Sequence, residues 1–585
     1  MLSRITALAC VSVFAQPGST WRLTRSAHFE VYSQAGDETA RPALAWFEQL
    51  RAFFQQQTGL NLDRQAPARV IAFRSPKEYQ AYRLSSTSDG YYVGTGSRDY
   101  IVMAGLGAGE FHVAAHEYAH LILHASGLHR PSWLNEGLAE FYSTVRIGAN
   151  GSTLGSAEPA NIQILRRREW IPLAELLATT ADSLEDRDRA GLFYAQSWAL
   201  TEMLVLSPEY GARFPALIAA LSLGEASVAT LASVNGKSLE AIARDVHAWV
   251  DARPRFTPVA LPGVAAGVGA VDVVDVSPFA ARSLLAELVL ASGNLERAEA
   301  LYGDLAREVP DAADVSAALG AIALRKGDSA GAREQWKRAI RQGIRDASLC
   351  YSYATLAGMA GLPADEVRPA LERAIALKPD FDDARYTLAL LEKNAGHYDV
   401  ALEQLRAMRG VAPVRAYNYW ITLADTLREL DRREEATVAA QKAREHASTP
   451  AERARAGQIA YMAQTDLAVE FTRDVNGRQQ LATTRVPHNT TDRNPFIERG
   501  DDIRRVQGTL REIQCGKEMT RMVVDTAAGP LRLAIPDPSR VQMRNAPAEF
   551  TCGRQHPASA VTAEYAASKT ADANGDGIVR GLAFH

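Results

Sequence analysis

The sequence is poor in cysteine, with 4 in 585 residues, which excludes a disulfide-built scaffold. It has no apolar run of the roughly 18 residues needed to cross a bilayer as a helix. Neither sign of charge dominates: 64 Lys and Arg against 68 Asp and Glu leave a formal charge of −4, so no global field points to nucleic acid. What remains is ordinary globular composition, 47% hydrophobic and 23% charged, in a chain too long for one core.

The few cysteines are informative by position. Cys10 lies in MLSRITALACVSVFAQPGSTW. Arg4 provides a basic start, Ile5 to Ala15 an apolar stretch, and Val13-Phe14-Ala15 small residues for cleavage, the pattern of a secretory signal over residues 1–15. Export to a bacterial periplasm or medium follows from that reading. Leu8-Ala9-Cys10 also fits a lipoprotein box with a short apolar segment, and a buried first helix is the plainer alternative. Cys350 falls in a helical pattern and reads as a small buried hydrophobe. Cys515 and Cys552 share the C-terminal segment; in an exported protein they can pair, and two buried thiols are the alternative.

Along the chain, HFEVYS (28–33) and ARVIAF (68–73) read as strands, and ALAWFEQLRAFFQQQTG (43–59) as an amphipathic helix ended by glycine. GYYVG and RDYIVMAG (90–105) read as paired strands on a Gly-Ser turn. From Glu110 to about Ala252 the pattern is mostly helical. Residues 20–253 therefore form an α+β domain, and the Pro- and Gly-rich stretch 254–277 a linker. Gly293, Gly327, Gly361 and Gly396 then recur at spacings of 34, 34 and 35, with Ala298, Ala332, Ala401 and Ala436 in constant phase. A fifth unit keeps the period with Leu430-Asp431 in its turn. These units over 278–447 closely resemble tetratricopeptide repeats, whose stacked helix pairs make a superhelix with a concave surface. Residues 448–506 read as a helical end followed by a polar linker. Short strand signals from 507 to 585 predict a small β-sandwich or barrel. DANGDG (572–577) has part of a calcium-loop pattern but carries Ala583 where the loop needs glutamate, so a hairpin turn is the preferred reading.

HEYAHLILHASGLHRPSWLNEGLAEFY (116–142) concentrates four of the twelve histidines and three glutamates. His116 and His120, four apart, share one helix face, where one cation can take both imidazoles. Glu117 projects beside that cation, the HExxH arrangement in which it is the general base for a zinc-activated water. A site that keeps an open position needs a third ligand. Glu136 on a second helix is placed to be it, and Glu140 one turn on is placed to fix a ligand imidazole. Ser132 is a candidate N-cap for that helix, and Gly137 a point of close approach to the first. Satisfied core histidines on two helices are the plain alternative.

HEYAH with NEGLAE resembles the ligand motifs of the gluzincin (peptidase MA-like) zinc peptidases, the clan of thermolysin and the aminopeptidase N family. The resemblance implies a metallopeptidase with one Zn2+ per chain held by His116, His120 and Glu136, with Glu117 as base. It also implies an oxyanion-stabilising residue C-terminal to the ligands. Tyr194, in FYAQSWALTEML, is the candidate, with packing as its alternative reading; Tyr142 is a weaker one. The aminopeptidase signature is missing from RDYIVMAG, read as the edge strand before the zinc helix, which favours an endopeptidase taking an extended chain. His112, His124 and His129 lack ligand spacing and read as polar or packing residues. The whole arrangement, an exported peptidase-like domain followed by repeats, implies protein or peptide substrates recruited by the repeat groove. The rival expectation is a non-catalytic zinc-binding or repeat scaffold of the cell envelope.

Overall fold

The computed structural model describes residues 20–63, 66–84, 88–180, 183–184, 186–252, 258–264, 271–473, 479–488, 494–516, 519–547, 551–572 and 575–585. The signal or lipoprotein reading of residues 1–15, Cys10 included, lies outside them. The chain divides into two compact units, residues 1–342 and 343–585.

The first unit is built on strands β1 (Arg22–Arg25), β2 (Phe29–Ser33), β3 (Ala68–Ala72), β4 (Gly90–Gly94) and β5 (Asp99–Met103), with a small pair β6 (Ser152–Leu154) and β7 (Val259–Leu261), and then β8 (Asp272–Asp275). The main sheet runs β4-β5-β3-β2-β1-β8. Its centre, β2-β3-β5, is parallel, and β4 is an antiparallel edge. The edge strand is thus GYYVG; RDYIVMAG forms β5, inside the sheet, because β4 folds back outside it. Two pieces of the stretch read as a linker are strands: β7 pairs with β6, and β8 pairs with β1.

Its helices are α1 (Asp37–Thr58), α2 (Pro76–Tyr79), α3 (Phe111–Ala125), α4 (Ser132–Ser143), α5 (Pro159–Arg167), α6 (Leu173–Ala178), α7 (Arg187–Leu206), α8 (Pro208–Gly211), α9 (Phe214–Ser222), α10 (Ser227–Asn235) and α11 (Leu239–Ala252). Four more, α12 (Pro278–Ala291), α13 (Leu295–Glu308), α14 (Ala313–Arg325) and α15 (Ser329–Arg341), form two hairpins. Both faces of the central strands are buried, which is why β3 (ARVIA) and β5 (DYIVM) are mostly apolar. Val31, Val70 and Ile101 face α1 and α3. Tyr32, Ile71 and Val102 face Leu284, Leu285 and Leu288 of α12, so the first repeat helix completes the core on that face of the sheet.

The second unit opens with α16 (Ala347–Met359), α17 (Ala364–Leu377), α18 (Asp382–Asn394), α19 (Tyr398–Arg406), α20 (Ala416–Glu429), α21 (Arg433–Glu445) and α22 (Pro450–Gln464). In both units the period has a backbone cause. Gly293, Gly327, Gly361 and Gly396 sit between paired helices at φ +86°, +84°, +72° and +81°, a region that costs a side chain energy. Asp431 takes the same turn at φ +55°. Ala298, Ala332, Ala401 and Ala436 are fully buried where paired helices meet.

Beyond them lie β9 (Thr465–Arg473), β10 (Gln479–Pro487), β11 (Ile503–Cys515), β12 (Thr520–Thr526), β13 (Gly529–Ile535), β14 (Gln542–Arg544), β15 (Gly553–Asp572) and β16 (Gly575–Phe584). The polar stretch read as a linker therefore holds a β9–β10 hairpin. The β-domain is a barrel: β11-β12-β13-β16-β15 closes on β11, with β13 and β16 parallel and the other pairs antiparallel. Leu510, Met522, Val524, Leu533, Val561 and Val579 fill it. Asp572 pairs with Gly575 across the β15–β16 turn; Ala573 and Asn574 lie outside the described residues. Cys515 and Cys552 form a disulfide, and Cys350 is a buried free thiol.

Candidate metal centre

Helix α3 carries HEYAH and α4 carries NEGLAE, joined by a tight loop in which Gly127 (φ +66°) turns the chain. Pro131, not Ser132, is the N-cap of α4. It holds an extended φ/ψ of −68°/154°, and its carbonyl accepts from Leu134 and Asn135 N–H at 3.1 and 3.0 Å. Gly137 faces α7 instead of α3. A Cβ there would lie 2.1 Å from Thr201 Oγ1 and 2.4 Å from the Ser197 carbonyl, so this glycine sets how closely α4 lies on the long central helix.

The three ligand candidates meet. His116 Nε2 and His120 Nε2 are 3.1 Å apart, and Glu136 Oε2 lies 3.5 Å from the first and 3.4 Å from the second. Donors bound tetrahedrally to zinc at 2.0–2.1 Å sit about 3.3 Å from one another. The triangle therefore fits one such ion and leaves a fourth position open. This is the one group of three or more His, Cys, Asp or Glu with such spacing among the described residues.

The outer nitrogens are held as well. Glu140 Oε1 lies 3.3 Å from His116 Nδ1, and Glu140 Oε2 accepts from Asn161 Nδ2 at 3.2 Å. The Asn135 amide lies 3.2 Å from His120 Nδ1. With Nε2 on a metal, Nδ1 carries the proton and the oxygen end of that amide would accept it. Asn135 and Asn161 were not singled out from sequence. Asn135 stands directly before Glu136, but only the packing of α4 on α3 shows which ring it meets.

The electrostatics suit a cation. Burial opposes charge on His116, yet Glu136 and Glu140 outweigh it and hold its pKa well above the usual imidazole value. Burial also opposes charge on Glu136, yet the imidazoles of His120 and His116 overcome it and hold its carboxyl far below the usual range. Glu117 differs: burial raises its pKa although both imidazoles pull it down, which moves a carboxylate toward the range useful to a general base.

The triad opens onto a cleft of about 1330 Å³, larger than the 300–1,000 Å³ typical of small-ligand pockets. Gly90 on the edge strand β4 lies against α3, where an added Cβ would come within 3.4 Å of Glu117 Cγ. Tyr194, on α7, lines the cleft. Tyr142 packs against Phe54, ring centroids 4.9 Å apart. His112, His124 and His129 line the cleft without joining the triad. His124 Nδ1 pairs with the Tyr92 hydroxyl at 3.0 Å, and that hydroxyl donates to Asp99 at 2.7 Å.

No family model matches the chain, and no curated protein matches it. Solved structures of tetratricopeptide-repeat type are similar to part of it. YrrB, described as a TPR protein with an unusual peptide-binding site, is 23% identical over 31% of this chain and 91% of its own, with a TM-score of 0.27. MamA is 21% identical over 29% of this chain and 91% of its own, with a TM-score of 0.25. A MamA fragment from Desulfovibrio magneticus RS-1 is 19% identical over 26% and 83%, with a TM-score of 0.23. The likeness concerns about a third of the chain.

Proposed function

We propose that the chain is a zinc-dependent peptide hydrolase of gluzincin type, acting within protein or peptide chains. The observation that carries this is the triangle of His116, His120 and Glu136 at 3.1–3.5 Å, with the buried Glu117 beside it on the same cleft. A zinc ion there would supply an activated water and polarise a scissile carbonyl. His116 and His120 would offer Nε2 to it, their rings oriented by Glu140 and Asn135. Glu117 would take a proton from the attacking water and pass it to the leaving amine. Tyr194 is the hydroxyl on the cleft wall that is proposed to donate to the developing oxyanion. The bare edge strand β4 offers backbone groups to an extended substrate. The cell envelope or medium is the proposed location, on the N-terminal signal pattern alone.

A second reading has its own support. The helical hairpins and the repeat proteins they resemble speak for protein or peptide binding, so the chain can equally be an interaction scaffold with a structural zinc. The two readings share the metal and differ at Glu117. Zinc per chain, measured by elemental mass spectrometry on protein purified without added metal, tests what they share: about one is expected. No zinc even after reloading removes both the hydrolase and the structural-zinc reading and leaves the repeats alone. Cleavage of a peptide library by the loaded protein then separates enzyme from scaffold.

A further inference from the structure

Arg130 closes the loop between the two ligand helices and lines the cleft. Its guanidinium is partly committed. Nη1 donates to the carbonyls of Leu123 and Leu128 at 3.0 and 2.9 Å, and Nη2 donates to Ser126 Oγ. An arginine has five N–H donors. These contacts use three and leave Nε–H and one Nη2–H, the side-by-side pair that receives a carboxylate in bidentate fashion. Among the described residues no carboxylate pairs with Arg130, whereas Arg69 and Arg98 of the sheet both meet Glu30. Burial accordingly lowers its pKa with no anion to oppose it. Leu123, whose carbonyl anchors it, is three residues past His120, about 4.5 Å along the helix axis. Each residue of an extended substrate spans about 3.3–3.6 Å. Arg130 lines the same cleft as the triad, so a carboxylate bound there would belong to a residue within a few positions of the scissile bond. Leu128, 47% exposed beside it on the cleft wall, adds an apolar contact.

We propose that Arg130 is a specificity-determining residue that receives a carboxylate of the bound peptide, so that the substrates are peptides carrying an anionic group within a few residues of the cleaved bond. The inference rests on the peptidase reading of the cleft. The carboxylate can come from an acidic side chain or from the chain's own C-terminus.

The test is retention on immobilised full-length Glu117→Gln protein, zinc-loaded, of three peptide libraries: a proteome digest with free carboxylates, the same digest methyl-esterified, and synthetic peptides with amidated C-termini and intact Asp and Glu. The free digest should be retained about tenfold or more over the esterified one, the effect of one charge-assisted pair. Arg130→Gln should abolish that preference, and Arg130→Lys should restore part of it. Retention of the amidated library with an acidic residue in fixed register assigns the side chain; its loss assigns the C-terminus. Equal retention of free and esterified digests, no retention of either, or a preference unchanged in Arg130→Gln overturns the proposal. Failure of the peptidase reading looks different: loaded wild-type protein leaves the digest uncut whatever the variants retain.

Discussion

Glu140 Oε1 lies 3.3 Å from His116 Nδ1, and this contact decides which nitrogen of the ring faces the triad. With the Nδ1 proton held by a carboxylate, Nε2 is the nitrogen left to take a metal beside His120 and Glu136. Glu140 is itself held by Asn161 on α5. Replacing such an outer carboxylate typically weakens a metal site 10–100-fold. Glu140→Ala should therefore lower zinc affinity by about that factor, measured by competition with a chelator, while Asn161→Ala gives a smaller loss in the same direction. An affinity unchanged in Glu140→Ala would mean that the ring is oriented by α3 alone.

Glu117→Gln is the sharpest separation of the two functional readings. Glu117 is buried and lies close to both imidazoles, yet it stands outside the triad. The amide should leave zinc content unchanged. If Glu117 is a general base, hydrolysis should fall by about 10²–10⁴-fold. If the centre is structural, no assay should distinguish the variant from wild type.

The legible parts of this chain were those encoded within one element. The i, i+4 histidines and glutamates share helix faces, and the positive-φ turn glycines keep their period. The misread parts depend on partners distant in sequence. Gly137 contacts α7, some sixty residues on, so nothing near it in sequence could say that its neighbour was not α3. β7 and β8 look like linker because an edge strand of few residues has little pattern of its own; its pairing with β6 and β1 is what makes it a strand. The same holds for β9 and β10, polar enough to read as a tether. Asn135 and Arg130 were invisible for a related reason: a neutral amide and a loop arginine acquire a role only from what α3 and α4 bring beside them.

Gly137 also gives a packing prediction. A methyl at this position would collide with Thr201 Oγ1 and the Ser197 backbone, and backbone cannot swing away. Overpacking of this kind costs about 1–3 kcal/mol. Gly137→Ala should lower the melting temperature and, because α4 carries Glu136, loosen zinc binding as well. Thr201→Ala should recover part of both losses by removing one of the colliding atoms. A double variant no better than Gly137→Ala would place the main clash at the Ser197 carbonyl, whose approach to the Cβ is 2.4 Å.

In the second unit, Asp466 is the buried hub that ties β9 to its surroundings. Arg433 of α21 meets it at 2.8 Å, His488 at 2.8 Å and Arg544 of β14 at 3.5 Å. Burial opposes its charge, but His488 and Arg433 outweigh that and hold its pKa below the usual aspartate value. A group whose folded pKa lies below its unfolded one stabilises the fold above the unfolded pKa of about 3.9, and that contribution fades as pH falls through the folded value. Amide exchange along α21 and β9 should therefore be slow and flat from neutral pH down to about pH 4, once corrected for intrinsic rates, and accelerate below it. Asp466→Asn leaves the cations without their anion and should cost about 3 kcal/mol at neutral pH. Its exchange should be fast at pH 7 and nearly indifferent to acid, because the titrating group is gone. A variant that keeps the wild-type acid dependence would move the pH response from Asp466 to other carboxylates of the unit.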